Sequence, residues 1–248
     1  MSVIPMVALD VSAVDAALQL ADALGDSCRY YKVGSELFTT GGPAVVRALR
    51  ERGHEVFLDL KLHDIPNTVR SAARAAARLG VSLLTVHAVG GETMIRAAVE
   101  GADSGAAEGG SDACGILAVT VLTSLDRAAL AGVWGRDGGL ALDAEVLRLA
   151  SVAASAGAHG IVCSGAEVGL VDREFRGRLA PLVPGIRFAE GAAHDQARVV
   201  TPRAAAAAGA RYLVLGRAVT ASGNPVAAMA RVWEELEEVT GSAPPVAG

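Results

Sequence analysis

The feature that most constrains this 248-residue chain is a cadence: a short apolar run, then a segment of helical periodicity that stops at a glycine, repeated along its length. Short apolar runs bounded by turn residues read as strands, and the helical pattern after each reads as the return half of a βα unit. Val3 to Leu9 is the first strand; Ser12 with Asp15 three residues on resembles a capping box, and Gly25 closes the helix that follows. Arg29 to Gly34 precedes a helix over Pro43 to Arg52, ended by Gly53. Glu55 to Lys61 precedes Pro66 to Leu79, ended by Gly80, and Val81 to His87 precedes Glu92 to Glu100, ended by Gly101. Residues 101–112, GADSGAAEGGSD, read as a flexible loop, because the cadence resumes with the strand Gly115 to Leu122.

A short helical piece and a Gly-rich excursion at Trp134 to Gly139 come next, followed by a long helix from Asp143 to Ala156 that ends at Gly157. Ile161 to Cys163, Leu182 to Ile186 and Tyr212 to Leu215 complete the strands. Helices begin near Pro202 and Pro225, where Thr201 and Asn224 are natural N-caps and proline loses nothing by lacking an N–H. Eight strands alternating with helices imply an α/β fold, a single-domain (β/α)8 TIM barrel over residues 1–240, with residues 241–248 as a flexible tail. The structural rival, a doubly wound open sheet, would carry a GxGxxG or P-loop turn after an early strand, and this chain has neither.

Composition narrows the function. Only 4% of residues are aromatic while 52% are hydrophobic, so the core is expected to consist of small aliphatic layers. The formal charge is −5 and the 22 Lys and Arg are scattered, which argues against a nucleic-acid or membrane surface and leaves any anionic ligand to a local site. Cys28, Cys114 and Cys163 form no CxxC pair and lie in or beside apolar runs, as buried free thiols in a reducing cytosol would. The N-terminus has Asp10 and Asp15 where a signal peptide needs an apolar core, and no run approaches the ~18 apolar residues of a membrane span, so a cytoplasmic location is expected.

A barrel gathers its functional residues where strands end. Asp10 ends the first strand, Lys32 the second, Asp59 and Lys61 the third, His87 the fourth and Thr123 the fifth; Arg187 follows the seventh, and Gly216 with Arg217 the eighth. The densest stretch is VFLDLKLHDIPNTV, Val56 to Val69, where alternation sets Phe57, Asp59 and Lys61 on one face and Val56, Leu58, Leu60 and Leu62 on the other. A single charge at a strand end is ordinarily a solvated loop residue. Lys32, Asp59, Lys61 and Asp64 together would bring alternating charges into one mouth, where each unpaired charge is costly and each pairing strong. His87 suits a supporting hydrogen bond there, while His54, His63, His159 and His194 lack metal-ligand spacing.

Asp59-x-Lys61-x-x-Asp64, followed by Ile65, Pro66, Asn67 and Thr68, resembles the signature of the orotidine 5′-phosphate decarboxylase family in its bacterial form. The likeness extends over nearly the whole chain, through Ala8 to Asp10, Tyr31 to Gly34, Val119 to Ser124, Pro184 to Arg187, Asp195-Gln196, Arg198 to Pro202, and Leu215 to Arg217. The resemblance implies conversion of orotidine 5′-monophosphate to UMP and CO₂ without cofactor or metal. It makes Lys61 the proton donor to C6, sets Asp59 beside the substrate carboxylate, and has Lys32 fix Asp59 and touch the ribose. It assigns Asp10 to a ribose hydroxyl, Thr123 to the base, and Arg187, Gln196, Gly216 and Arg217 to the 5′-phosphate. Asp64, Ile65 and Thr68 would enter the neighbouring subunit's site, which implies a homodimer with shared active sites. The family often has proline after the phosphate-binding arginine, whereas this chain has Phe188.

Two rivals share parts of the pattern. The metal-dependent 3-keto-gulonate 6-phosphate decarboxylases and hexulose-phosphate synthases resemble a pattern with glutamate near the position of Lys32, used for Mg²⁺, which Lys32 speaks against. A non-catalytic nucleotide-binding barrel would be expected to lose Lys61 or Asp59 while keeping Arg187 and Arg217, and this chain keeps both sets.

Overall fold

The computed structural model describes residues 2–136, 141–189 and 200–241; Gln196, the second half of the Gly-rich excursion and the tail from 242 lie outside them. Eight parallel strands close into a barrel in sequence order: β1 Ile4–Ala8, β2 Tyr30–Gly34, β3 Glu55–Leu62, β4 Leu83–His87, β5 Gly115–Val119, β6 Gly160–Val162, β7 Ala180–Val183 and β8 Tyr212–Leu215. β8 pairs with β1 at Ile4↔Tyr212, which leaves no free edge in the sheet. The expected (β/α)8 barrel is the fold of this protein.

Period-two alternation divides each strand between two apolar layers. Met6, Phe57, Leu83, Leu117, Leu182 and Val214 point into the barrel and fill it. Val7, Val33, Leu58, Leu84, Ile116 and Leu213 point outward and are covered by the helices. These are α1 Val14–Leu24, α2 Ser35–Glu51, α3 Pro66–Ala77, α4 Gly91–Gly109, α5 Arg127–Trp134, α6 Leu142–Ser155, α7 Val168–Phe175, α8 Pro202–Ala207, α9 Arg217–Thr220 and α10 Pro225–Thr240. Among the described residues no helix is long and apolar enough to cross a membrane.

Local chemistry sets most helix ends. Thr201 and Asn224 accept hydrogen bonds from the Ala204 and Ala227 N–H groups, as N-caps do, and Pro66 opens α3. α1 starts differently from expectation: its N-cap is Ala13 with no side-chain cap, so the Ser12 box does not form. α2 begins earlier than Pro43, because a first segment from Ser35 runs into a break at Gly42, φ 56°, and Pro43 starts the second.

The largest correction falls on residues 101–112. Gly101 does not stop its helix, and α4 runs on to Gly109, capped by Gly110 in the left-handed region. The glycines are there for packing. A Cβ on Gly101 or Gly105 would stand 2.2 Å from the backbone oxygen of Arg70 or Arg74, so α4 lies directly against the backbone of α3. The exposed pairs Arg70–Glu100 and Arg74–Glu108 flank that seam, each 2.6 Å apart. Exposed pairs of this kind add little, and the close backbone approach sets the spacing of the helices.

All three cysteines are buried free thiols. Burial pushes Cys28 and Cys114 up to about 12 and raises Cys163 as well.

Candidate active site

The C-terminal ends of the strands surround a cleft of about 400 Å³. Asp10, Lys32, Asp59, Lys61, Thr123, Arg187, Gly216 and Arg217 line it, so eight of the residues expected at the mouth meet in one space. Phe57, Val119, Val162, Leu182 and Val214 form its apolar floor and walls. Such a site holds charged groups over a low-dielectric base, where their interactions are stronger than in water.

The charges sort into two pairs. Lys32, with its side chain 11% exposed, places Nζ 2.6 Å from Asp10 Oδ1. Lys61 places Nζ 2.8 Å from Asp59 Oδ2. Lys32 was expected to fix Asp59; its ammonium pairs instead with Asp10, while Lys61 holds Asp59. Its second oxygen, Oδ1, accepts the hydroxyl of Thr85 at 2.9 Å.

Lys61 also has an unusual backbone. Its φ is 50°, and among the described residues no other non-glycine residue has a positive φ. The left-handed region costs an ordinary residue about 1–2 kcal/mol, and such strain tends to gather at functional sites. The Lys61 N–H donates to Thr85 Oγ1 at 2.8 Å, which satisfies the group the turn takes out of the ladder.

Thr85 was not among the expected site residues. The signal was present in β4, where Leu83, Thr85 and His87 share the inward face of LLTVH and a lone hydroxyl interrupts an apolar strand. His87 ends that strand with its ring centroid 5.6 Å from that of His63 and does not line the cleft. Burial lowers the His87 pKa below its ordinary 6.5, and His63 and Lys61 lower it further against the opposing charge of Asp59.

Arg187 and Arg217 enter from the far side of the mouth, after β7 and β8. The Arg187 N–H donates to the Val200 carbonyl at 3.1 Å, and its guanidinium to the Ile186 carbonyl at 2.9 Å. Arg217 opens α9 next to Gly216, whose bare backbone leaves the approach to the N–H groups open. Phe188, standing where proline is common in the family, lies under the Arg231 guanidinium of α10 at 4.3 Å from the ring centroid.

Asp64, Ile65 and Thr68 are the expected residues that the fold does not bring into the cleft. Asp64 and Ile65 sit on the exposed turn into α3 and Thr68 on the helix's exposed first turn; Asp64 Oδ1 accepts the Ile65 N–H at 2.6 Å and Ile65 is 67% exposed.

Comparisons with known proteins agree with this geometry. A family model described as "Orotidine 5'-phosphate decarboxylase / HUMPS family" matches residues 5–232. Orotidine 5′-phosphate decarboxylase of Geobacillus thermodenitrificans is 43% identical over 232 residues, 93% of this chain and 95% of the relative. The enzyme of that name from Thermobifida fusca is 49% identical over 239 residues, 96% of this chain and 97% of the relative. The crystal structure of orotidine 5′-phosphate decarboxylase from Lactobacillus acidophilus superposes with a TM-score of 0.83 at 36% identity, covering 95% of this chain and 99% of that one. With its barrel, its charged mouth and these likenesses together, the chain belongs to the orotidine 5′-phosphate decarboxylase / HUMPS family.

Proposed function

We propose that this protein is a carboxy-lyase that converts orotidine 5′-monophosphate to UMP and CO₂ in pyrimidine biosynthesis, with Lys61 as the proton donor. The observation that carries the reading is the Lys61 ammonium, held 2.8 Å from Asp59 in a cleft whose opposite rim carries Arg187 and Arg217. The bond between C6 and the carboxylate carbon breaks, CO₂ leaves, and the electron pair stays on C6. The Lys61 ammonium then donates its proton to C6, and the amine recovers one from solvent.

A cation about 4 Å from the developing carbanion at an effective dielectric near 20 stabilises it by about 4 kcal/mol, so the rest of the preorganised site must supply the larger share. Asp59 beside the substrate carboxylate contributes through repulsion that is relieved as CO₂ departs. Asp10 takes a ribose hydroxyl, Thr123 the base, and the two arginines with Gln196 and the backbone at Gly216 the 5′-phosphate. Binding the phosphate, remote from C6, provides energy that can be expressed in the transition state. A divalent cation seated at Asp10, as the metal-dependent sugar-phosphate branch would need, would have to displace the Lys32 ammonium from it.

The exposed trio Asp64, Ile65 and Thr68 supports a homodimer in which each subunit completes the other's site. Mixing Lys61→Ala and Asp64→Asn subunits tests this. Random reassortment should restore about one quarter of the wild-type activity, whereas two inactive proteins that stay inactive together would rule out shared sites. The unpaired thiols and the biosynthetic relatives support a cytoplasmic location.

The reaction is tested by following the ultraviolet absorbance of orotidine 5′-monophosphate with EDTA-dialysed protein beside Lys61→Ala. Conversion to UMP that the substitution abolishes is expected. No conversion, or conversion that returns only with Mg²⁺, would overturn the reading and direct the assay to keto-gulonate and hexulose phosphates.

A further inference from the structure

β3 and β4 pair in step at Phe57↔Leu83 and Leu58↔Leu84, and again at Leu62↔Val86. Between those points β3 advances four residues while β4 advances two, so β3 carries surplus backbone that leaves the ladder. Asp59 and Lys61 both lie in the surplus, and Lys61 has the left-handed φ of 50°.

Thr85 is the residue of β4 that stands between the two paired points, and it is fully buried. Its single hydroxyl proton goes to Asp59 Oδ1 at 2.9 Å, while its oxygen accepts the Lys61 N–H at 2.8 Å. One side chain thus fixes the carboxylate of one chemistry-bearing residue and the backbone of the other. A structural threonine in a barrel has no need of those two partners; here both bonds end on the pair that faces the cleft. Valine has the same shape and can make neither bond, whereas serine can make both.

We infer that Thr85 is a positioning residue for the decarboxylation, pinning the β3 bulge so that Asp59 and the Lys61 ammonium stay in register with the reacting carbon. The kinetic consequence rests on the decarboxylase reading given above; the geometric one does not. The bond to the Asp59 carboxylate is charge-assisted and so among the stronger ones, and its loss together with the backbone bond should be felt in turnover.

The experiment is steady-state kinetics on orotidine 5′-monophosphate together with crystal structures of Thr85→Val and Thr85→Ser. Thr85→Val should lower kcat by roughly 10- to 100-fold with KM within about threefold, because the phosphate-binding arginines follow other strands, β7 and β8. Thr85→Ser should return kcat to within about threefold of wild type. In the crystal, Thr85→Val should lose either the left-handed Lys61 or the Asp59–Lys61 contact, and Thr85→Ser should keep both. Wild-type kcat in Thr85→Val with the bulge unmoved would overturn the inference, as would a Thr85→Ser protein as slow as Thr85→Val. If Thr85→Val fails to fold, Thr85→Ala removes the same bonds without apolar bulk and is judged by the same criteria. A wild-type protein that does not convert the substrate would sink the decarboxylase reading, and the crystal structures would then decide the positioning role alone.

Discussion

Lys32 stands on β2, between β1, which leads to Asp10, and β3, which carries Asp59, and its ammonium lies 2.6 Å from Asp10 Oδ1. With Asp59 held by Lys61 and Thr85, the mouth contains two separate ion pairs in place of one mixed cluster. Asp10→Asn should therefore strand a largely buried ammonium without disturbing the Asp59–Lys61 pair. The expected result is a fall in kcat/KM of more than about tenfold together with a lower melting temperature, because the Lys32 ammonium left without its partner is only 11% exposed. Steady-state kinetics and thermal unfolding of the same preparation check both halves.

Arg187 and Arg217 are assigned to the phosphate, so their removal should act through binding. Arg187→Ala and Arg217→Ala should each raise KM for orotidine 5′-monophosphate by roughly 10- to 100-fold, since a charge-assisted hydrogen bond to an anion is worth about 1.5–3 kcal/mol. Any turnover of orotidine, which lacks the phosphate, should change little. Equal losses on both substrates would move these arginines out of the phosphate role.

Stability should respond to pH in two separate windows. Burial lowers the pKa of half-buried His54 and His87 below 6.5, so the unfolded chain takes up protons before the folded one as pH falls. Stability from this source is complete above about 6.5 and declines as pH drops below it. Glu55 acts later: burial opposes its ionisation, but Ser82, Arg50 and Arg29 outweigh that and hold its carboxyl below the ordinary 4.5. Its contribution is lost only as pH falls below that value, through the folded pKa. Melting curves in steps from pH 8 to 4 should show a shoulder before the final acid loss, and His87→Asn should shrink the shoulder.

Glycines of similar appearance should behave in opposite ways. Gly105→Ala sets a methyl against the Arg74 backbone oxygen and should cost about 2–3 kcal/mol, seen as a lower denaturant midpoint. Gly132→Ala, in α5 with nothing within 4 Å of the added carbon, should gain about 0.5–1 kcal/mol from helix propensity. A neutral Gly105→Ala would mean that the seam between α3 and α4 yields.

The barrel was legible because it rests on local signals: apolar runs for strands, glycine stops, and proline after Thr201 or Asn224. Residues 101–112 misled because glycine has two uses. At Gly110 it ends a helix, whereas Gly101 and Gly105 make room for a neighbouring backbone, and only the three-dimensional packing tells these apart. The cleft residues could be found from strand ends alone. How they pair could not, because Asp59 and Lys61 meet each other and Thr85 at a bulge that no residue pattern marks. α7 left no clear mark in the sequence either, since it is only eight residues long and begins without a side-chain cap.

The three buried cysteines also give this protein a set of clocks. Cys28 lies just ahead of β2, Cys114 just ahead of β5 and Cys163 just after β6, so the first samples one side of the ring and the other two sample opposite ends of the neighbouring strands β5 and β6. A thiol-directed reagent needs a thiolate that reaches water, and burial denies it both. Labelling can then proceed only as fast as each sector opens. Peptide-resolved labelling of the unaltered chain would time three openings in one sample and reveal the order in which the barrel comes apart.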